Sequence, residues 1–289
     1  MTNLQYDILD VFADRPYAGN PLAVVHGGES LTDTAMQAIA REFHLSETVF
    51  TLPPTVPGAD YRVRIFTPTV ELSFAGHPSI GAAWLLARRG VIGHGKVRQQ
   101  CGAGVIPVRV DDDGARIAGG RPEIGKDLDA APLAAAVGLT VDDVDVAGAP
   151  GAAAAGAWFA FLPVHDEAVA RARPDAAALI ARTVGMVGLV LFSYSRESRR
   201  AHIRMFAPGS GVAEDPGGGS SAVALGVHLV HRGMLSPDGR SAFIISQGAE
   251  IGRTSTMDVE VRAESGRAME TSVRGAVIAV ARGELTCLP

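Results

Sequence analysis

Glu214-Asp215-Pro216-Gly217-Gly218-Gly219-Ser220-Ser221 runs directly into the apolar segment Ala222-Val223-Ala224-Leu225-Gly226-Val227-His228-Leu229-Val230. The segment reads as a helix entered through a glycine-dense, acidic loop. Three consecutive glycines let backbone amides crowd a ligand with no Cβ in the way. Ser220 or Ser221 is the expected N-cap, and the first-turn N–H groups would then face whatever the loop holds. Asp215 adds a titratable carboxylate at the rim. This anatomy suits a site that holds a small anion and moves a proton. It equally suits a solvent-exposed loop capped for stability.

A helix that is apolar on every side has to be buried. A second one occurs at Ile80-Gly81-Ala82-Ala83-Trp84-Leu85-Leu86-Ala87, within a helix expected from about Ser79 to Arg88, with Pro78 in its first turn. Each apolar helix is preceded by a matching strand, Arg64-Ile65-Phe66-Thr67-Pro68 and Arg204-Met205-Phe206-Ala207-Pro208, and by a polar loop. Each is followed by strands that contain a glycine, Gln100-Cys101-Gly102-Ala103-Gly104 and Gln247-Gly248-Ala249-Glu250-Ile251-Gly252. The same order of elements twice over predicts a duplication. The fold class expected is α+β: two similar domains, each a curled, mostly antiparallel sheet wrapped around a central apolar helix. The halves are residues 1–120, which strand 276–289 could join, and residues 121–275.

Around these landmarks, Tyr6 to Phe12 alternates as a first strand, and Leu31 to Phe43 reads as a helix capped by Thr32. The stretch from Gly119 to Gly156, rich in Ala, Gly and Asp, is expected to carry the crossing between halves and one helix, Ala131 to Val137. Ala168 to Val184 reads as helical, broken at Pro174. Val273 to Arg282 is a last strand that could return to either sheet.

Composition narrows the function. The 289-residue chain is 47% hydrophobic and 20% charged, ordinary for a globular protein, and its net charge of −5 argues against a nucleic-acid binder. No window approaches the ~18 uninterrupted apolar residues of a membrane span. The N-terminus lacks the pattern of a secretory signal, and two cysteines, Cys101 and Cys287, make no disulfide framework. A cytoplasmic protein is the expectation. His228 and His231 suggest no third ligand, so no metal site is read. No phosphate-binding loop with its Lys and no dinucleotide fingerprint is present.

If the halves are duplicates, Gly76-His77-Pro78 would face Gly218-Gly219-Ser220 across a cleft. Two helix N-termini aimed at one cavity would bind a carboxylate. His77 and Asp215 would be the titratable pair on its walls. Glu47, between Ser46 and Thr48 and just before an apolar strand, is the third candidate, because partial desolvation would raise its pKa toward that of a general acid/base. Glu47 would serve as well as a solvated loop charge, or as a capping partner of Ser46.

Gly19-Asn20-Pro21-Leu22-Ala23-Val24, Leu45-Ser46-Glu47-Thr48, Phe66-Thr67-Pro68 with Glu71-Leu72-Ser73-Phe74-Ala75-Gly76-His77-Pro78, Arg204-Met205-Phe206-Ala207-Pro208, the second loop and Gln247-Gly248-Ala249-Glu250-Ile251-Gly252-Arg253 occur in an order that resembles the phenazine-biosynthesis PhzF family. The resemblance covers nearly the whole chain. It implies the diaminopimelate-epimerase-like fold with the active site between two domains, a homodimer, no cofactor, and isomerisation of a small anionic substrate such as trans-2,3-dihydro-3-hydroxyanthranilate. It implies that Glu47 is the carboxylate that carries the proton, and that His77 and Asp215 orient the substrate and assist. It also implies that Ser46, Gly76, Gly218, Gly219 and Ser220 bind the substrate. Related epimerases carry a cysteine at each central-helix entry, where this chain has His77-Pro78 and Ser220, so a one-carboxylate shuttle is implied rather than a two-thiol racemisation. The second loop departs from the family's Asp-x-Ala-Thr-Gly-Ser-Ala: Gly218 stands in place of threonine, and Ser221 in place of a small apolar residue.

Overall fold

A computed structural model describes residues 3–289. The chain up to Ile117, together with Arg274–Pro289, forms one compact unit, and Ala118–Val273 forms another. The first unit contains β1 (Leu4–Val11), β2 (Asn20–His26), α1 (Asp33–Phe43), β3 (Glu47–Leu52), β4 (Tyr61–Phe66), β5 (Glu71–Leu72), α2 (Gly76–Arg88), β6 (Gly95–Cys101), β7 (Gly104–Val110) and β8 (Gly114–Ala118). The second contains β9 (Pro122–Asp127), α3 (Ala130–Ala136), β10 (Gly151–Ala155), β11 (Trp158–Pro163), α4 (Asp166–Arg171), α5 (Ala176–Arg182), β12 (Leu189–Ser195), β13 (Arg200–Ala207), β14 (Val212–Asp215), α6 (Gly219–His231), β15 (Gly239–Gln247) and β16 (Ser255–Glu264). The last strand, β17 (Arg267–Leu285), begins in the second unit and ends in the first.

The strand pairings repeat between the units. β1 is antiparallel to β2, β2 parallel to β3, β3 antiparallel to β4, and β4 pairs antiparallel with β5 and parallel with β6. In the same places, β10 is antiparallel to β11, β11 parallel to β12, β12 antiparallel to β13, and β13 pairs antiparallel with β14 and parallel with β15. β6–β7 and β15–β16 close the two patterns with antiparallel hairpins. The duplicated order of elements is therefore also a duplicated order of hydrogen bonds. The final strand, left open by its sequence, pairs with β1 from Val11↔Val277 to Leu4↔Leu285.

Each apolar helix is enclosed by strands of its own unit. α2 is buried from Gly76 to Ala87 and packs on β1, β2, β3, β4 and β7, while α6 packs on β9, β10, β11 and β16. Close approach is bought with glycine. A Cβ on Gly81 would lie 2.6 Å from Leu22 Cδ2, and one on Gly226 would lie 2.6 Å from Val261 Cγ2. Other helices cover a second layer. Met36, Ile39 and Ala40 of α1 cluster with Phe50, Leu52 and Phe66. Strand alternation turns Val49 and Thr51 the other way. In the second unit α3, α4 and α5 supply Leu133, Val169 and Leu179 against Leu162, Leu189 and Phe206.

Three local expectations need correction. α2 starts at Gly76, about three residues before the expected start, because Pro78 needs no donor in the first turn and does not block it. The stretch from Gly119 to Gly156 holds two strands, β9 and β10, beside its helix. The run Gly151-Ala152-Ala153-Ala154-Ala155 has poor strand propensity, but it lies wholly buried against α6, where only small side chains fit. The N-cap of α6 is Gly218, and neither serine caps it, as described below. The helix at Asp33–Phe43 is capped as expected, with Thr32 Oγ1 accepting from Ala35 N–H at 3.2 Å. No helix among the described residues is long and apolar enough to cross a membrane.

The Arg-x-Phe repeat proves to be a structural device. Arg64 pairs bidentately with Glu71 at 2.7 and 2.6 Å and lies 5.1 Å over the Phe66 ring. Arg204 pairs bidentately with Glu214, both bonds 2.8 Å, and lies 5.0 Å over the Phe206 ring. In each unit the arginine ties the strand before the central helix to the short strand that leads into the site.

His228 makes a stability prediction. It is 1% exposed, its ring stacks 4.9 Å from Phe161, and its Nε2 has no hydrogen-bond partner among the described residues. Burial, reinforced by Arg232, pushes its pKa down from 6.5 to about 3. The unfolded chain therefore binds a proton that the folded chain refuses, and stability from this residue is lost as pH falls from 6.5 toward 3. Between pH 7.5 and pH 5 the urea-unfolding stability of His228→Leu relative to the wild type should shift in the variant's favour by about 2 kcal/mol. A gap that does not widen on acidification would contradict this account.

Candidate active site

In the first unit α1 ends at Phe43, and His44 adopts the left-handed conformation (φ 52°) that turns the chain into β3. Glu47 is the first residue of β3 and sits in register with Leu22 of the parallel β2. The first turn of α2 brings His77 against it, with Nε2 3.6 Å from Glu47 Oε2. Asn20 opens β2 and is 1% exposed. Its Nδ2 lies 3.5 Å from His77 Nδ1, and its Oδ1 accepts from Ser46 Oγ at 3.0 Å. Because the Ser46 hydroxyl occupies Asn20 Oδ1, the amide N–H of Asn20 faces the ring. A neutral His77 then accepts at Nδ1 and carries its proton on Nε2, toward Glu47.

The Glu47 side chain keeps 18% exposure. Desolvation pushes its carboxyl up to about 7. Glu47 is not a freely solvated loop charge. It is a mostly dry carboxyl poised to be either charged or neutral near pH 7.

In the second unit the β13–β14 pair delivers Asp215 at the end of β14. Its Oδ1 accepts from Gly217 N–H at 3.1 Å. Gly218 is the N-cap of α6, with extended φ −106° and ψ 107° and no side-chain cap. Ser220 and Ser221 thus fall inside the first turn. Ser221 is buried and donates to Gly218 O at 2.8 Å, while Ser220 is half-buried. The first helical bond is Ala222 N–H to Gly218 O, so the amides of Gly219, Ser220 and Ser221 precede it, at the positive end of the helix. A Cβ on Gly218 would lie 2.6 Å from both Asp215 Oδ2 and Ser221 Oγ. The two departures in this loop are one packing event: the Ser221 hydroxyl takes space that a side chain at 218 would need.

Ser46, Glu47, Gly76 and His77 therefore meet in the first unit, and Asp215, Gly218, Gly219 and Ser220 meet in the second. Two residues joined to these groups escaped the sequence reading. Asn20 lay in a quoted motif, but nothing in the linear sequence ties it to His77, 57 positions on. Gln247 is 0% exposed and bonds to both Asp215 O and Gly218 N–H. It too lay in a quoted motif, but nothing in the linear sequence ties it to Asp215, 32 positions back. Cys101 ends β6 and Cys287 lies exposed near the C-terminus, so neither thiol enters a helix-entry loop.

The chain matches the family model described as phenazine biosynthesis-like protein, PhzC-PhzF, over residues 9–283. It is 37% identical to a Mesorhizobium japonicum protein named uncharacterized isomerase mll1393, covering 99% of both chains. It is 32% identical to the trans-2,3-dihydro-3-hydroxyanthranilate isomerase of Pseudomonas fluorescens, covering 97% of this chain and 98% of that one. Among solved structures, the Bacillus anthracis phenazine biosynthesis protein of the PhzF family superposes with a TM-score of 0.89 at 25% identity, over 99% of this chain and all of the other. The α+β, strand-rich fold is thus shared with PhzF proteins. Both of these sequence relatives are named isomerases, and the chain belongs to the phenazine biosynthesis-like PhzC-PhzF family.

Proposed function

We propose that the protein is an isomerase that moves one proton within a small cyclic amino acid such as trans-2,3-dihydro-3-hydroxyanthranilate, with Glu47 as the carrier and no cofactor. The resemblance to the PhzF family supports assigning both half-sites to one substrate. The amides at the entries of α2 and α6, Gly76 and Gly218 to Ser220, receive the substrate carboxylate. Ionised Glu47 takes a proton from a ring carbon whose C–H bond is conjugated with the double bonds. The electron pair moves along the π-system, and the now neutral Glu47 returns the proton to a different ring carbon. Atoms and electrons balance: one C–H bond breaks, another forms, and nothing is oxidised. His77, with its Nε2 proton toward Glu47, and Asp215 hold the amine or hydroxyl and stabilise the charge that develops.

The observation that carries this reading is the Glu47 carboxyl at about 7, with an imidazole 3.6 Å away. A proton shuttle must give up its proton as readily as it takes it, and that requires a pKa near working pH. The test is an NMR time course with trans-2,3-dihydro-3-hydroxyanthranilate, wild type beside Glu47→Gln. Consumption by the wild type alone supports both reaction and carrier. Folded wild type that leaves the compound untouched removes this substrate. We also expect a cytoplasmic homodimer. Light scattering should give about twice the 30.0 kDa chain mass, and a fully active monomer would remove that expectation.

A further inference from the structure

We propose that Gln247 is a positioning residue of the second half-site: its buried carboxamide holds Asp215 and the entry of α6 in a single geometry, and so sets how a substrate carboxylate is received. The inference rests on the function proposed above.

The Gln247 Nε2–H donates to the Asp215 carbonyl at 2.6 Å, and its Oε1 accepts from Gly218 N–H at 3.3 Å. One side chain thus bridges the two ends of Asp215-Pro216-Gly217-Gly218. That segment has little stiffness of its own beyond Pro216, because glycines cost the most backbone entropy to fix. Gly248 presses on the same segment. It has φ +80°, and a Cβ there would lie 2.6 Å from Pro216 O and 2.5 Å from Arg253 O. The bridge needs one donor and one acceptor on the same terminal group, which a neutral carboxamide supplies. A carboxylate would set oxygen against the Asp215 carbonyl, and a thioether would satisfy neither partner.

The first unit uses a related device. Gln99, also 0% exposed, donates to Ser79 Oγ at 2.8 Å and accepts from Tyr61 OH at 3.1 Å. Ser79 in turn donates to Ala75 O at 2.8 Å, at the N-cap of the helix that carries His77. β6 and β15 hold the same place in the repeated strand order, so both units reach a helix entry from the same strand with a buried glutamine.

Two variants test the assignment. In Gln247→Met, kcat/KM should fall by about 10²-fold, the effect of a small misplacement of binding groups. In Gln247→Glu the loss should be similar at pH 8.5 and should recover on acidification. The neutral introduced carboxyl has one donor and one acceptor, as the amide does, and its neutral fraction grows by up to about tenfold per pH unit. The ratio of this variant's kcat/KM to that of the wild type should therefore rise as pH falls. A ratio that is flat with pH, or variants that lose Tm but match the wild type per folded molecule, would overturn the proposal. If the wild type does not consume trans-2,3-dihydro-3-hydroxyanthranilate, the functional reading fails separately, and hydrogen exchange then decides. The Gly218 amide should lose protection in Gln247→Met while Leu225, deep in α6, keeps it. An unchanged Gly218 would overturn the assignment.

Discussion

Glu47→Gln should fold as the wild type does and lose about 10³-fold or more in kcat. The amide keeps the shape of the side chain and its place beside His77 and Ser46, but it cannot accept a proton from carbon. Wild-type kcat/KM should fall below an acid limb near pH 7, because the base form of a carboxyl raised to about 7 is depleted as pH drops. A second readout needs no substrate. The folded pKa lies above the ordinary value of 4.5, so the fold loses stability as pH rises from 4.5 to about 7 and Glu47 becomes charged in a dry place. Glu47→Gln should match the wild type in urea unfolding at pH 4 and exceed it by up to about 3 kcal/mol at pH 8. Residual turnover above a tenth of the wild type would remove Glu47 as the carrier. Equal stability at both pH values would remove its raised pKa.

Arg204→Met should destabilise the second unit by about 3–5 kcal/mol, whereas Arg64→Met should cost about 1 kcal/mol or less. The two arginines occupy matching places and make the same bidentate pair, and they differ in burial and in their remaining partners. The Arg204 side chain is 6% exposed and that of Glu214 is 11%, and Arg204 also donates to the carbonyls of Val169 and Ala172 at 3.2 and 2.9 Å. Removing it strands a buried carboxylate and two carbonyls. Arg64 faces Glu71 and Asp33, whose side chains are 42% and 84% exposed, so water takes over when it is lost. Chemical denaturation of the two variants reads this directly. Similar losses would mean that the pairs contribute through packing on Phe66 and Phe206 rather than through charge.

Most of the site's ingredients are legible in the linear chain, because local rules govern them. The triple glycine, the acidic loop and an apolar helix announce a glycine-lined helix entry, and His77 before Pro78 announces a second. The cap at Thr32 and the break at Pro174 followed the same local chemistry. Failures came where distant contacts outweigh propensity. Gly151 to Ala155 reads as linker and is a buried strand, since α6 leaves room only for small residues. Ser220 and Ser221 read as caps, but the cap falls at least two residues earlier, at Gly218, and Ser221 turns its hydroxyl back onto Gly218.

The duplication, the two buried helices and the residue types gathered at the two helix entries are readable from the linear chain, because periodicity, apolar content and glycine spacing act over a few residues. What those residues become depends on contacts made in three dimensions. Desolvation at the mouth of β3 makes Glu47 a carboxyl near 7, Asn20 orients the His77 ring across 57 positions, and Gln247 reaches back 32 positions to tie the second loop. Burial and hydrogen-bond partnership are properties of the surroundings in space, and no local stretch of chain carries them.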